Sequence, residues 1–118
     1  METQETYHQK LKETIDIFCH SAYRISRKFP KEEVYGITSQ FRRAVLSVAL
    51  NYVEGYARIK EKVHKNFIEI SYGSLKESAF LIEFSHKEKF ISENEYSELK
   101  KLADEIGRMI WGMLRKMT

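Results

Sequence analysis

Residues that form turns and cross-links are scarce in this sequence of 118 residues. One proline and five glycines are too few for an all-β or a disordered chain, because turns and flexible segments draw heavily on both. The single cysteine excludes a disulfide within the chain and is typical of a reducing compartment, so we expect a cytoplasmic protein. No uncharged apolar run approaches the length of about 18 residues that a membrane span needs, so we expect no membrane partner.

The residues that are present favour a single four-helix-bundle domain over residues 1–118. Apolar residues make up 42% and charged residues 31% of the chain, an ordinary balance for a soluble globular protein. A chain of this length buries roughly two thirds of the surface that it exposes when unfolded, which suffices for a hydrophobic core. The low content of proline and glycine then predicts long helices.

Apolar residues recur at helical spacing in the first half of the chain. One stripe covers residues 7–29 and should end at Pro30, because the residue before a proline is pushed out of the helical conformation. A second helix should run from a cap at Thr38 or Ser39 to about Arg58.

Two further helices are predicted in the second half. The third covers roughly residues 62–88, and the fourth begins at Ser92, which has the sequence of a capping box with Glu95. Short connections make consecutive helices antiparallel. The predicted fold class is therefore all-α, an antiparallel up-down-up-down four-helix bundle.

The second helix carries two apolar stripes, which is more than one neighbouring helix can cover. It is therefore either central to its own bundle or packed against another subunit. In the third helix, Gly73 lowers helix propensity by about 1 kcal/mol relative to alanine, which close approach of another helix or chance would explain. The residues that we assign to an oligomer interface are Leu46, Leu50, Val53 and Gly73.

Positive charge is concentrated in the middle of the chain. The net charge is +3, yet residues 24–65 contain ten bases and only four acids. Such a segment is either a binding surface for a polyanion or an ordinary solvated surface. The residues that we assign to nucleic-acid binding are Arg24, Arg27, Lys28, Arg42, Arg43, Arg58, Lys60, Lys62 and Lys65.

Two adjacent arginines stand out within this segment. Neighbouring residues on a helix cannot both face one core, so Arg42 or Arg43 must reach a surface or an interface. Their planar guanidinium groups suit bidentate binding of phosphate, in a ridge with the bases that end the first helix. The alternative is that one of them pairs with Glu54 or Glu77, across the bundle or between subunits. The sequence shows no segment that combines exposed aromatic and basic residues for base stacking, so we expect contact with the phosphate backbone and little sequence specificity.

Catalytic and metal-binding motifs are not evident. The pairs Glu61–His64 and Glu83–His86 match the Glu-x-x-His element of di-iron bundles, but both lie on the third helix, 22 residues or about 33 Å apart. They cannot share one site. Cys19 is expected to be a buried thiol. We therefore expect no catalytic residues, no metal and no cofactor, and a protein that is not an enzyme.

Three segments resemble a known family. The run FPKEEVYGITSQFRRA, residues 29–44, is similar to the signature of the 23S rRNA intervening-sequence proteins, which are small bacterial four-helix-bundle proteins. Residues 51–55 resemble the Asn-x-x-Glu-Gly element of that family, and residues 72–77 resemble its Gly-Ser-Leu-x-Glu element. The sequence departs from the family in lacking a proline before Asn51 in the second helix.

The resemblance implies a ring-like homopentamer. The family has no firmly assigned biochemical activity. It also implies a likeness to the accessory protein of diversity-generating retroelements, a basic pentameric barrel that binds nucleic acid and a reverse transcriptase. Two functions remain in competition: a nonenzymatic scaffold that binds RNA or DNA, and a protein-interaction scaffold or accessory factor for a partner such as a reverse transcriptase.

Overall fold

Four long helices form the described chain, which in this computed structural model covers residues 3–117. A single 3₁₀ turn, Lys31–Glu33, lies between the first two. The helices are α1 (Gln4–Ser26), α2 (Ile37–Ala57), α3 (Glu61–Lys87) and α4 (Glu93–Arg115). Each packs against its two neighbours in the cycle α1–α2–α3–α4, which confirms the predicted up-down four-helix bundle. Within residues 3–117, no helix is long and apolar enough to cross a membrane.

Local sequence signals set three of the helix boundaries. Thr3 caps α1, because its hydroxyl accepts a hydrogen bond of 3.0 Å from the Thr6 backbone N–H. At the other end, α1 stops before Pro30, as predicted. The capping box of α4 is also confirmed: the Glu95 N–H donates to the Ser92 hydroxyl at 3.1 Å, and the Ser92 N–H donates to the Glu95 carboxylate at 2.8 Å.

The start of α2 differs from the prediction. Neither Thr38 nor Ser39 caps the helix, which begins at Ile37 after Gly36. The Glu33 carboxylate takes the place of a cap, because it accepts a hydrogen bond of 3.3 Å from the Ile37 N–H. A Cβ atom at Gly36 would lie 2.8 Å from that carboxylate, so glycine leaves the room that it needs. Thr38 is buried, and its hydroxyl has no hydrogen-bond partner in the part of the chain that the structure describes.

The core runs along the axis of the bundle and contains apolar side chains from all four helices. Its largest fully buried members include Phe18 and Leu11 of α1, Tyr52 and Phe41 of α2, Ile68 and Leu75 of α3, and Ile106 and Ile110 of α4. Cys19 is buried as expected, and burial raises the pKa of its thiol to about 11.

Small residues allow α2 and α3 to pack most closely. A Cβ atom at Gly55 would lie 3.0 Å from the Cβ of Phe67 and 3.2 Å from the His64 carbonyl oxygen. Buried Ser71 donates a hydrogen bond of 2.7 Å to the Val48 carbonyl oxygen. Gly73 does not take part in this approach, because nothing lies within 4 Å of where its Cβ would be.

Candidate nucleic-acid interface

The fold divides the predicted basic residues between its two ends. We call residues 3–12, 52–66 and 108–117 the basic end; it contains the α2–α3 turn, the start of α1 and the close of α4. We call residues 17–46 and 78–101 the paired end; it contains the other two connections. Arg43 and Arg58 are fifteen residues apart on or just beyond α2, or about 23 Å along its axis. The predicted residues therefore form two groups rather than one.

At the paired end, acidic residues of α4 engage two of the predicted bases. Arg24 pairs with Glu98, and Lys28 Nζ lies 2.6 Å from the Glu95 carboxylate. The hydrogen bond from Lys28, supported by that from the Ser92 backbone N–H, lowers the pKa of Glu95. These two bases hold α1 to α4, and Arg27 stays exposed beside them.

The arginine pair of α2 has one inward and one outward member. Arg42 is half-buried: its Nε donates a hydrogen bond of 2.8 Å to the Ser26 hydroxyl, and its guanidinium lies 4.7 Å from the centre of the Tyr23 ring. Arg43 is exposed. Within residues 3–117 neither pairs with Glu54 or Glu77, so Arg42 joins α2 to α1 and Arg43 is the one that faces solvent.

The basic end has far fewer acidic residues for its number of bases than the paired end has. It contains nine bases and three acids, against ten bases and seven acids at the paired end. Arg58 pairs with Glu54 at 2.9 Å and lies over the Phe67 ring. Lys60, Lys62 and Lys65 make no ion pair with any residue from 3 to 117.

Three further bases at this end come from α4, and sequence reasoning missed them. Arg108, Arg115 and Lys116 are exposed, and none makes an ion pair within the described residues. Residues 66–118 contain eight bases and nine acids in all, and this near balance conceals that no acid follows Glu105. The predicted antiparallel order places the C-terminal turns of α4 beside the start of α3. The sequence therefore contained the signal that these bases join the lysines of α3.

The lysines at the start of α3 lie where a positive charge is unfavourable for a helix. Lys60 is the N-cap residue of α3 and its side chain makes no capping hydrogen bond, while Lys62 lies in the first turn. The N-terminus of a helix carries a partial positive charge, so a cation there is unfavourable by about 0.3–1 kcal/mol. The same arrangement strengthens the positive potential that attracts phosphate groups.

A histidine and two tyrosines pack together at the basic end. His8 stacks on Tyr56 with ring centres 3.4 Å apart, and its Nδ1 forms a hydrogen bond of 2.7 Å with the buried Tyr52 hydroxyl. Burial, followed by the charge of Lys12, lowers the pKa of His8 despite the opposing effect of Glu5. Burial also raises the pKa of Tyr52. These contacts fix the start of α1 against the last turns of α2.

A shallow groove between α3 and α4 combines aromatic and basic side chains. The rings of Tyr72 and Trp111 lie 5.7 Å apart, and Trp111 is 52% exposed. Lys76 Nζ lies 5.2 Å from the centre of the Tyr72 ring, and Arg108 also lines the groove. We expected no such combination. Lys76 follows Tyr72 by four residues and Arg108 precedes Trp111 by three, but the two pairs meet only through packing of α3 against α4.

The predicted histidine motifs serve structural contacts. His64 Nδ1 lies 2.5 Å from the Gly55 carbonyl oxygen, and His86 Nε2 lies 2.7 Å from the Glu93 carboxylate while stacking on Tyr96. A hydrogen bond with Glu83 raises the pKa of Tyr96 to about 12. In the part of the chain that the structure describes, no three histidine, cysteine, aspartate or glutamate side chains are grouped as a metal ion requires.

The predicted interface residues lie on the outside of α2 and α3. We call this surface the outer face. Leu50 is 66% exposed and so lies outside the core of its own chain. The exposed apolar side chains of the outer face are Leu46, Leu50 and Val53 of α2 and Ile70, Phe80 and Phe84 of α3. Gly73 is exposed between Ile70 and Phe80.

Comparison with known proteins agrees with this architecture. A family model described as 23S rRNA-intervening sequence protein matches residues 8–112. The chain belongs to this family. No curated protein matches the chain. A crystal structure from Bacteroides thetaiotaomicron, described as a protein with unknown function from the S23 ribosomal protein family, superposes with a TM-score of 0.86 at 14% identity. That match covers 93% of this chain and 99% of the other, and confirms the fold.

In this member of the family, two of the segments that carry the resemblance meet between α2 and α3. The Asn51 amide donates hydrogen bonds of 2.9 Å to both the backbone carbonyl and the hydroxyl of Ser47. The Ser47 hydroxyl is in turn 2.7 Å from that of Ser74. These polar side chains therefore satisfy one another where two helices approach closely.

Proposed function

We propose that this protein is a nonenzymatic, homo-oligomeric member of its family that binds RNA or other nucleic acid through the basic end. The observation that carries the proposal is the convergence of unpaired bases from two segments of the chain, α3 and α4, on one end of the bundle. Lys60, Lys62 and Lys65 come from the start of α3, and Arg115 and Lys116 come from the last turns of α4.

The chemistry of these side chains suits a polyanion. Ammonium and guanidinium groups without carboxylate partners can bind phosphate without first breaking an ion pair. Each phosphate that they neutralise releases condensed counterions, so binding should weaken steeply with salt. Six unpaired bases, counting Arg108, give a slope of log K against log salt of about −4 for a single strand, at roughly −0.7 for each contact.

Self-association is supported by the outer face. Six large apolar side chains exposed on two adjacent helices favour contact with another copy of the chain. We propose that the outer face forms the subunit interface of a pentamer, in which five basic ends would act on one polyanion. The exposed Arg43 and Glu77 are available for an ion pair between subunits.

The assembly is tested by light scattering on purified protein, with protein and nucleic-acid absorbance followed on the same peak. We expect a mass of about five chains. Leu50→Glu should release monomers that keep their helicity, because Leu50 lies outside the core of its own chain. Leu99→Glu is the contrasting control, since Leu99 is only 1% exposed and its replacement should unfold the bundle. A monomeric native protein would contradict the proposed assembly.

Nucleic-acid binding is tested with a labelled single-stranded RNA of about 12 nucleotides. Affinity should fall by two to three orders of magnitude between about 50 and about 200 mM salt, as a slope of about −4 requires. Absence of binding at the lower salt concentration would refute the proposed function.

The outer face also supports the alternative of a protein-interaction scaffold. A surface groove of about 370 Å³ lies between the α1–α2 connection and α3, lined by Tyr35, Phe80 and Phe84 among others. A partner protein held there should remain bound after nuclease treatment in a pull-down, whereas a partner bridged by RNA should be lost.

A further inference from the structure

We infer that the groove between α3 and α4 is a stacking site for an unpaired nucleobase, beside the phosphate-binding residues of the basic end. This inference rests on the proposed function and adds to it the form of nucleic acid recognised, which is a single strand. Its central side chain is Trp111, the one tryptophan of the sequence.

The first step concerns the aromatic surface. Trp111 is 52% exposed although its ring is large and apolar, so one side of the ring is free to receive a ligand. Tyr72 supports it at a ring distance of 5.7 Å, and Lys76 lies over the Tyr72 ring. A base that stacks on an aromatic ring contributes about 1–3 kcal/mol to binding, whatever its identity.

The second step concerns the shape of the groove. Its volume is about 300 Å³, at the low end of the range of roughly 300–1,000 Å³ for small-molecule sites. Ala79, Ala103 and Gly107 line it, and a Cβ atom at Gly107 would lie 3.4 Å from Leu75. These small side chains leave the aromatic rings as the prominent surface of the groove.

The third step concerns charge. Arg108 and Arg115 lie three residues before and four residues after Trp111, so all three project from one side of α4. Lys76 takes the equivalent position one turn beyond Tyr72 on α3. Asp104 also lines the groove, but its carboxylate is 3.7 Å from Lys100 Nζ. Cations therefore lie on both sides of the exposed ring, where the phosphates flanking a stacked base would be.

A single strand fits this arrangement better than a duplex. Bases inside a duplex are already stacked on one another and are not available to a side chain on a helical surface. Unpaired bases can turn outward onto the Trp111 ring while their phosphates reach Arg108 and Arg115. Arg108 lines the groove and Arg115 lies one turn of α4 beyond Trp111, so one strand can use both the groove and the basic end.

The test uses the full-length protein and three probes of about 12 residues: single-stranded RNA, the same sequence as duplex RNA, and an abasic sugar-phosphate strand. Trp111 fluorescence should be quenched by the single strand and not by the abasic strand. Trp111→Ala should weaken binding of the single strand about tenfold, within the range expected for one stacked base. Binding of the duplex and of the abasic strand should change less than about twofold. Trp111→Phe should retain most of the affinity, because it keeps an aromatic ring.

Arg108→Gln and Lys76→Gln provide a second measurement. Each should reduce the salt slope by about 0.7 and leave the quenching at saturation unchanged. Circular dichroism of each variant establishes that the bundle is folded.

The outcomes separate this inference from the proposed function. Binding of the single strand without quenching, and with equal affinity in Trp111→Ala, would overturn the stacking site while leaving the basic end as the binding surface. The same result is expected if the groove serves a protein partner instead. Absence of binding by all three probes at low salt would refute the proposed function and this inference together.

Discussion

The two ends of this bundle use similar side chains in different ways. At the paired end, Arg24 and Lys28 bind carboxylates of α4 and tie two helices together. At the basic end, Lys60, Lys62 and Lys65 have no such partners within residues 3–117. The histidines show the same contrast: His86 stacks on a tyrosine and pairs with a carboxylate, whereas His8 stacks on a tyrosine and binds a hydroxyl.

The difference shows that the number of bases alone does not identify a binding surface. Both ends contain nine or ten bases, so a count of positive charges would rank them as equal. What separates them is the supply of acids and their distance from the bases. A base that holds two helices together must give up that contact before it binds phosphate, and an unpaired base need not.

The largest effect is expected from removing the unpaired lysines. The triple variant Lys60→Gln, Lys62→Gln, Lys65→Gln should reduce the salt slope for single-stranded RNA by about 2. At about 0.1 M salt that change corresponds to about 100-fold weaker binding. The matched control, in which Lys31, Lys87 and Lys101 are replaced by glutamine, removes the same charge from the paired end. Equal losses in the two variants, measured by fluorescence anisotropy, would mean that the ends are equivalent.

The next largest effect is an opposite change in stability and in RNA binding when Lys60 is replaced. Lys60→Ser should raise the free energy of unfolding by about 1 kcal/mol, because it gives α3 a capping hydroxyl and removes a cation from the N-terminus. Affinity for RNA should fall about fivefold as one phosphate contact is lost. Urea denaturation and RNA titration measure the two quantities. Ser92→Ala is the counterpart at the paired end and should lower stability by about 1 kcal/mol without changing affinity.

A smaller effect is expected from making the paired end resemble the basic end. The double variant Glu95→Gln, Glu98→Gln releases Lys28 and Arg24 from their partners. Stability should fall by less than about 1 kcal/mol for each pair, since both pairs are partly exposed, and affinity for RNA should rise several-fold. Glu13→Gln with Glu69→Gln removes the same charge from the middle of the bundle. An equal gain in that control would show that total charge, and not the release of bases, is responsible.

The smallest effect is a pH dependence at His8. Its pKa in the folded protein is below the usual value of about 6.5, so the unfolded chain binds a proton more readily. Stability should therefore be complete above about pH 6.5 and decline as the pH falls through the lowered pKa of His8. Thermal unfolding at about pH 7 and pH 5 should show a smaller decline in His8→Gln than in the native protein. His20→Gln, a variant at an exposed histidine of α1, should retain the full decline.

Local signals made much of the fold predictable. The capping box at Ser92 and the stop before Pro30 depend on a few neighbouring residues, and both were predicted correctly. The cap of α2 was not, because its acceptor is the side chain of Glu33 in the preceding 3₁₀ turn and its geometry depends on Gly36. Ile37 and Thr38 are buried, and α2 begins at Ile37. Thr38 and Ser39 therefore lie inside the helix and do not cap it.

The candidate site was less predictable for a different reason. Which base is paired depends on contacts between α1 and α4, as at Arg24 and Glu98, and these residues are 74 positions apart. The meeting of Tyr72 and Trp111 likewise depends on how α3 and α4 are rotated about their axes. Helix periodicity identifies the core face of each helix. It does not define which surface residues of two neighbouring helices come into contact.

The close packing of α2 and α3 at Gly55 has a consequence for how the chain folds. The two helices are neighbours in sequence, and residues 58–60 alone connect them, so their contacts form with little loss of chain entropy. We therefore expect the α2–α3 hairpin to be the most ordered part of the folding transition state, with α4 docking afterwards. The lysines at its turn would then be in place before the aromatic groove exists, so a polyanion present during synthesis would meet the two parts of the surface in that order.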